Sequence, residues 1–231
     1  MSEPTQPVAL DVDGFIAGMP DDHEVPWALQ IVVRQEKGED QPSHLEVCEC
    51  VARAVVTLLA SPQAGDQWRE QIAIWRDARI RKLVRRARGK RWDEVQTLPG
   101  VTVTQGLAQA RAIVPGPVHL LPKALDKLQV ADTNFPDGGP STSSGAVVAV
   151  GISPLIGIST GKAAAQGAHA AQLAWEGMDE PTRVRWSADE FRVRVFVADK
   201  AQWGVAAGRI QVVDAGFTEL DGPTETTRAW W

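Results

Sequence analysis

The 231-residue chain has two cysteines, four histidines and no long apolar run, and each scarcity excludes something. Cys48 and Cys50 stand at i and i+2, which on a helix points them to different sides. Neither a disulfide nor a metal clip follows from that spacing. So little cysteine fits a reducing, cytoplasmic setting. His23, His44, His119 and His169 are scattered without ligand spacing, so no metal and no cofactor is expected. No stretch reaches the ~18 apolar residues that a membrane span requires, and no membrane partner is expected. Residues 1–25 contain no Lys or Arg, so they lack the basic opening of a secretory signal.

What is present is ordinary for a globular protein: 44% apolar and 23% charged residues. The length suits one large domain or two small ones. The net charge of −5 hides an asymmetry. Residues 1–25 carry −6, residues 26–130 carry +5, and 131–145 and 146–231 carry −2 each. The first folded half is therefore basic, which suits an anionic partner.

Taken in order, 1–25 read as a mobile acidic tail rich in Pro, Asp and Glu. Trp27 to Arg34 is a continuous apolar run and predicts a buried strand. Ser43 to Leu59 predicts a helix, with Glu46 three residues after Ser43 as a capping box. Helices are expected at Gln67 to Ala78 and Arg91 to Leu98. Strands are expected at Arg79 to Arg88, at Val101 to Thr104, and around the Pro-Gly turn of Ala112 to Leu121. Residues 131–145, ADTNFPDGGPSTSSG, have a linker's composition. A second series follows: strand Ala146 to Ile152, helix Lys162 to Trp175, helix Thr182 to Glu190, strand Phe191 to Ala198. Helix Lys200 to Ala207 and strands Arg209 to Val213 and Thr224 to Trp231 complete it.

The two series share a register. Trp75 and Trp186 are 111 residues apart, and so are Trp92 and Trp203. Ile31 precedes Val147 by 116 and Val101 precedes Ile210 by 109. Any two α/β halves alternate their elements, but two tryptophans at one offset inside matching elements point to an internal duplication. The expected domains are 26–130 and 146–231, packed as a tandem pseudo-dimer.

Chemistry concentrates in the second half. In STGKAAAQGAHAAQLAW, from Ser159 to Trp175, Thr160 and Gly161 suit a helix mouth and the alanines favour the helix. Lys162, Gln166 and His169 share one face. Lys162 lies in the first turn, where the helix dipole favours an anion over a cation. With free backbone N–H groups it would form an anion site; otherwise it is a solvated lysine. Downstream, VVDAGFTEL brings Asp214 to a turn, with Thr218 four residues on. A carboxylate, a hydroxyl and a lysine make an acid–base and anion-binding set. Against that, Asp214 reads equally as a turn former, Thr218 as a strand hydroxyl and His169 as a core histidine.

These residues resemble a known family. Lys162-x-Ala-x-Gln166-x-x-His169-Ala170 after a strand, followed by Asp214-Ala215-Gly216-x-Thr218, looks like the type-2 peptidyl-tRNA hydrolases over roughly 146–231. The resemblance implies an α/β sandwich with a mixed four-stranded sheet flanked by helices. It implies hydrolysis of the ester joining peptide to tRNA, with tRNA or peptidyl-tRNA as partner. It places the active-site roles on Lys162, Asp214 and Thr218, with Gln166 and His169 in support. The first half would be a degenerate copy. Two departures weaken positive potential at this face: Phe217 stands where the family has Arg, and Glu219 where it has Gln.

The first half has its own feature. Nine Lys and Arg crowd residues 76–91, with Asp77 the one acid. Arg85, Arg86 and Arg88 are the expected tRNA-backbone contacts, unless the run is merely a solvated face. The rival reading of the whole chain is a non-catalytic RNA- or protein-binding module that keeps the fold.

Overall fold

A computed structural model describes residues 9–11, 26–78, 80–138, 141, 143–205, 208–215 and 219–231. They form a mixed α/β structure of two mixed sheets with helices. The order begins β1 (Ala9–Asp11), β2 (Trp27–Arg34), α1 (His44–Ala60), α2 (Arg69–Asp77), β3 (Arg81–Ala87) and α3 (Lys90–Val95). It continues β4 (Gly100–Gln105), β5 (Ala108–Ile113), β6 (Gly116–Pro117) and α4 (Lys123–Asp126). The rest is β7 (Val148–Ile152), α5 (Thr160–Gly177), α6 (Glu180–Ala188), β8 (Val193–Val197), α7 (Lys200–Val205), β9 (Ile210–Asp214) and β10 (Thr224–Trp230).

The apolar run of β2 is central because it is buried on both faces. Leu29, Ile31 and Val33 face the main core, while Val32 joins Trp92, Val95 and Leu125 on the other side. Helix α1 starts where its capping box places it. The Ser43 hydroxyl accepts from Glu46 N at 3.3 Å and the Glu46 carboxylate from Ser43 N at 2.9 Å. The first sheet runs β3-β2-β5-β4, with β3 parallel to β2, β5 antiparallel to β2, and β4 antiparallel to β5. The strand expected at Ala112 to Leu121 lies earlier. Gly106, at φ +54°, turns a β4–β5 hairpin, and β5 begins at Ala108. Its small buried residues, Ala108, Ala110 and Ala112, let α1 lie close against the sheet.

The second sheet runs β1-β9-β10-β7-β8. Here β8 is parallel to β7, β10 antiparallel to β7, and β9 antiparallel to β10. The expected four strands become five, because β1 pairs in parallel with β9. A strand thus falls inside the expected tail of 1–25, whose other residues, save 9–11, lie outside those described. Apart from β1 and the two-residue β6, both sheets set their strands in the same order and directions. Trp75 donates its indole N–H to Arg81 O at 3.0 Å, and Trp186 donates to Arg192 O at 2.8 Å. Trp92 and Trp203 are also both buried.

One core spans the two sheets. Helices α1 and α5 pack face to face through Ala52, Ala163, Ala164, Ala168 and other small residues. Each also reaches across: α5 packs on β3, and α1 on β8. Within the segment read as a linker, Thr133, Phe135 and Ser143 are buried. Its serines serve Glu49 of α1, a fully buried carboxylate. Glu49 accepts from Ser143 Oγ at 3.0 Å, from Ser141 Oγ, and from Val195 N of the edge strand β8 at 3.0 Å. Loop residues of Pro, Gly and Ser composition are thus held by a buried acceptor that needs donors. Among the described residues, no helix is long and apolar enough to cross a membrane.

Candidate functional site

Lys162 and Asp214 are 52 residues apart in sequence and form an ion pair in the fold. Two elements bring them together. Ser159 caps α5, its hydroxyl accepting from Lys162 N at 3.1 Å, which fixes the first turn. Strand β9 ends on Asp214, whose side chain is 3% exposed; that of Lys162 is 15% exposed. Gln166, one turn beyond Lys162, donates its amide to the same Asp214 Oδ2 at 2.6 Å. The other end of that amide, Oε1, lies 3.0 Å from the Thr226 hydroxyl.

Thr226 and Thr227 were not legible as site residues. The ladder between β9 and β10 shifts register between Glu225 and Thr227, so Thr226 is an extra residue. Neighbours in a regular strand point to opposite faces. This bulge lets both threonines serve α5, Thr227 Oγ1 donating to the Gln166 carbonyl at 3.1 Å. The Thr-Glu-Thr-Thr run of β10 was the one signal.

Lys162, Gln166, His169 and Asp214 line a cavity of about 840 Å³, so the shared helical face is real. Thr218 and Phe217 lie outside the described residues. The opposite wall belongs to the first half: Arg81, Lys82, Leu83 and Val84 of β3. Lys82 is buried, 2.9 Å from His169 Nδ1 and 2.5 Å from Gln172 Oε1. Burial, then the Lys82 and Lys162 charges, hold the His169 imidazole well below its ordinary value.

The helix mouth itself differs from an open anion site. Glu219 occupies it, accepting from Ser159 N at 2.6 Å and Ser159 Oγ at 2.7 Å. Thr160 N donates to Asn134 Oδ1 at 3.3 Å and Gly161 N to Thr133 O at 2.8 Å. The N–H groups of the first turn are therefore bonded within the protein, and the dipole is matched by a carboxylate of the same chain.

A second cavity, of about 710 Å³, lies at the far end of β3. Lys37, Arg86, Arg88, Lys90, Arg91 and Lys127 line it, and among the described residues no carboxylate does. Sequence neighbours line the two: Gln129 the basic one and Val130 the other. Arg86 and Arg88 line this cavity, the Arg86 guanidinium donating to Asp132 O and to Gln129 Oε1 at 2.5 Å, while Arg79 lies outside the described residues. Arg85, expected with them, is buried. It donates to Gln30 Oε1 at 2.8 Å and to Leu128 O at 2.7 Å, so its charge braces the sheet.

The cysteines are inert. Burial pushes the Cys50 thiol up to about 12 and the Cys48 thiol up as well, the neighbouring Glu49 adding to both. Among the described residues no group of three or more His, Cys, Asp or Glu is placed to hold a metal ion.

The state of His169 has a measurable consequence. Its folded pKa is depressed, so below 6.5 the unfolded chain takes a proton that the folded one refuses. Stability must then fall as pH drops through 6.5. Compared with His169→Gln, the wild-type protein should lose up to about 1.4 kcal/mol per pH unit below that point. Urea titrations of both proteins between pH 7 and 5 read this difference; a pH-independent gap would show that folded His169 accepts the proton.

Compared with protein-family models, with curated proteins and with solved structures, the chain finds no match.

Proposed function

We propose that the chain is an internally duplicated hydrolase acting on the ester between peptide and tRNA, in the manner of type-2 peptidyl-tRNA hydrolases. The observation that carries this reading is the meeting of Lys162, Gln166 and Asp214, distant in sequence, on the wall of one cavity. Asp214 orients or deprotonates a water, Gln166 fixes the carboxylate, and Lys162 steadies the developing oxyanion by exchanging Asp214 for it. Thr218 is assigned to hold the water or the ester. The free, buried thiols suit a reducing compartment, so the cytoplasm is its expected place.

The duplication is supported by several particulars. The two sheets share order and strand direction. Trp75 and Trp186 both bond the carbonyl six residues on. His44 Nδ1 meets Thr160 Oγ1 at 2.9 Å, at a sequence separation of 116, close to the repeat offset. In a two-fold arrangement, a residue near the axis contacts its own counterpart, and cross-contacts are reciprocal. The pairs α5 with β3 and α1 with β8 are reciprocal in this way. In this reading the halves are a pseudo-dimer within one chain, divided at 131–145.

Turnover of N-blocked aminoacyl-tRNA by the full chain tests the function: release of the blocked amino acid is expected, and its absence ends the hydrolase reading. A second reading, a non-catalytic RNA-binding module, is favoured by Glu219, because a carboxylate holds the helix mouth where a terminal phosphate would dock.

Both readings route the tRNA backbone over the basic cavity. From Lys82 to Arg88 the strand covers ~20 Å, at ~3.3 Å per residue, so a backbone held at Arg88 extends toward the Lys162 cavity. Replacing Arg86, Arg88, Lys90 and Arg91 by Gln should weaken tRNA binding and flatten its salt dependence. The expected loss of slope is about 0.7–0.9 for each phosphate no longer neutralised. Turnover of bound substrate should change little, because uniform binding enters KM before kcat. Affinities measured across a salt series decide it; an unchanged slope makes the patch a solvated face.

A further inference from the structure

Lys82 is a buried amine that the proposed hydrolysis does not use. It stands on edge strand β3 of the first half, yet its ammonium end lies among groups of the second. Among the described residues no carboxylate forms an ion pair with it. Its partners are His169 and the Gln172 amide, and it lies 5.1 Å from the centre of the Trp75 ring. The direction of the Gln172 amide is fixed, because its NH₂ donates to Glu176 Oε1 at 3.0 Å and its Oε1 must then face Lys82. The Glu176 charge is itself shared with Arg76, 3.0 Å away. Of the charged groups around Lys82, Glu176 favours its ammonium form most and Arg76 opposes it. Lys162 acts on the neighbouring His169, and Asp214 lies on the same cavity wall already paired with Lys162.

We propose that Lys82 is a nucleophilic amine and that the 840 Å³ cavity it lines takes a small aldehyde or ketone, which Lys82 captures as an imine. The amine lone pair attacks the carbonyl carbon and a carbinolamine forms. Two protons leave nitrogen, the former carbonyl oxygen departs as water, and a C=N bond remains. No oxidant or reductant is consumed. His169, 2.9 Å away, is placed to accept the proton from nitrogen and return it to the departing hydroxyl. A lysine desolvated by burial is a recognised setting for this chemistry. The depressed basicity of Lys82, caused first by burial, opposed by Glu176 and aided by Arg76, is consistent with it. The imine chemistry uses Lys82 and His169 and none of Lys162, Gln166 and Asp214 on the same cavity wall, so it does not depend on the ester hydrolysis.

The experiment is reductive alkylation of the folded, full-length protein at pH 7, with acetaldehyde and cyanoborohydride, followed by peptide mass spectrometry. The chain has seven lysines, and the exposed ones are almost wholly protonated at that pH. Lys82 should be alkylated at least about tenfold faster than any of them. Its rate should level off at a pH where theirs still climb about tenfold per unit. In urea all seven should react alike, which checks the reagent. Lys82→Met should lose the fast adduct, and His169→Gln should slow it while Lys82 remains. A folded protein in which Lys82 reacts no faster than the exposed lysines, or not at all, overturns the proposal. Because the readout is a covalent adduct, it can fail while tRNA ester hydrolysis succeeds, or the reverse.

Discussion

Asp214→Asn should lower the kcat for hydrolysis of N-blocked aminoacyl-tRNA by ~10²-fold or more, the range for a lost general base. Asparagine keeps the size and an oxygen to accept from Gln166 Nε2, so the fold should survive. Lys162→Ala should also lower activity, but with a larger structural cost. It takes the cation away from a carboxylate only 3% exposed, and breaking such a pair costs about 3–5 kcal/mol. The order of the two variants is therefore opposed in the two measurements. Urea unfolding should rank Lys162→Ala as the more destabilised, while turnover per folded molecule should suffer most in Asp214→Asn. An Asp214→Asn protein with full activity would take Asp214 out of the mechanism.

Glu49→Ala should be among the most destabilising single changes in the chain. Val195 N and the hydroxyls of Ser141 and Ser143 converge on that carboxylate, with Gln105 Nε2 at 3.4 Å. Hydrogen bonds to a charged acceptor contribute about 1.5–3 kcal/mol each, and the truncation leaves several donors buried without one. A loss of about 3–5 kcal/mol is expected in urea titration, the range for breaking a buried charged contact. Because Glu49 joins α1 to β8 and holds Ser141 and Ser143, the loss should loosen the contact between the halves first. Hydrogen exchange should then show Val195 and its neighbours on β8 opening ahead of β2. A loss below about 1 kcal/mol would mean that these donors find water instead.

Local patterns were enough where one stretch of sequence contains its own reason. The apolar run WALQIVVR makes a strand buried on both faces. Ser43 and Glu46 close a capping box without help from elsewhere, and Ser159 caps α5 on its own next turn. The spacing of Lys162, Gln166 and His169 put them on one face, and that face lines a cavity. The hairpin at Gly106 was missed because a single left-handed glycine, not an apolar pattern, sets where β5 begins.

Tertiary structure decided whatever depends on a distant partner. That Lys162 meets Asp214 is a property of where β9 ends relative to the first turn of α5. That Glu219 closes the helix mouth could not be read from its neighbours, since a carboxylate there competes with any anion only once the fold brings it to Ser159. Arg85 and Arg86 are adjacent in sequence and differ in burial because strand neighbours point to opposite faces: Arg85 is buried on Gln30 and Leu128, while Arg86 lines a basic cavity and donates to Asp132 and Gln129. Residues 131–145 have a linker's composition, yet Ser141 and Ser143 are held because the buried Glu49 carboxylate takes their hydroxyls. Composition and periodicity act over a few residues, whereas a buried charge takes its partner from whichever strand or loop the fold lays beside it.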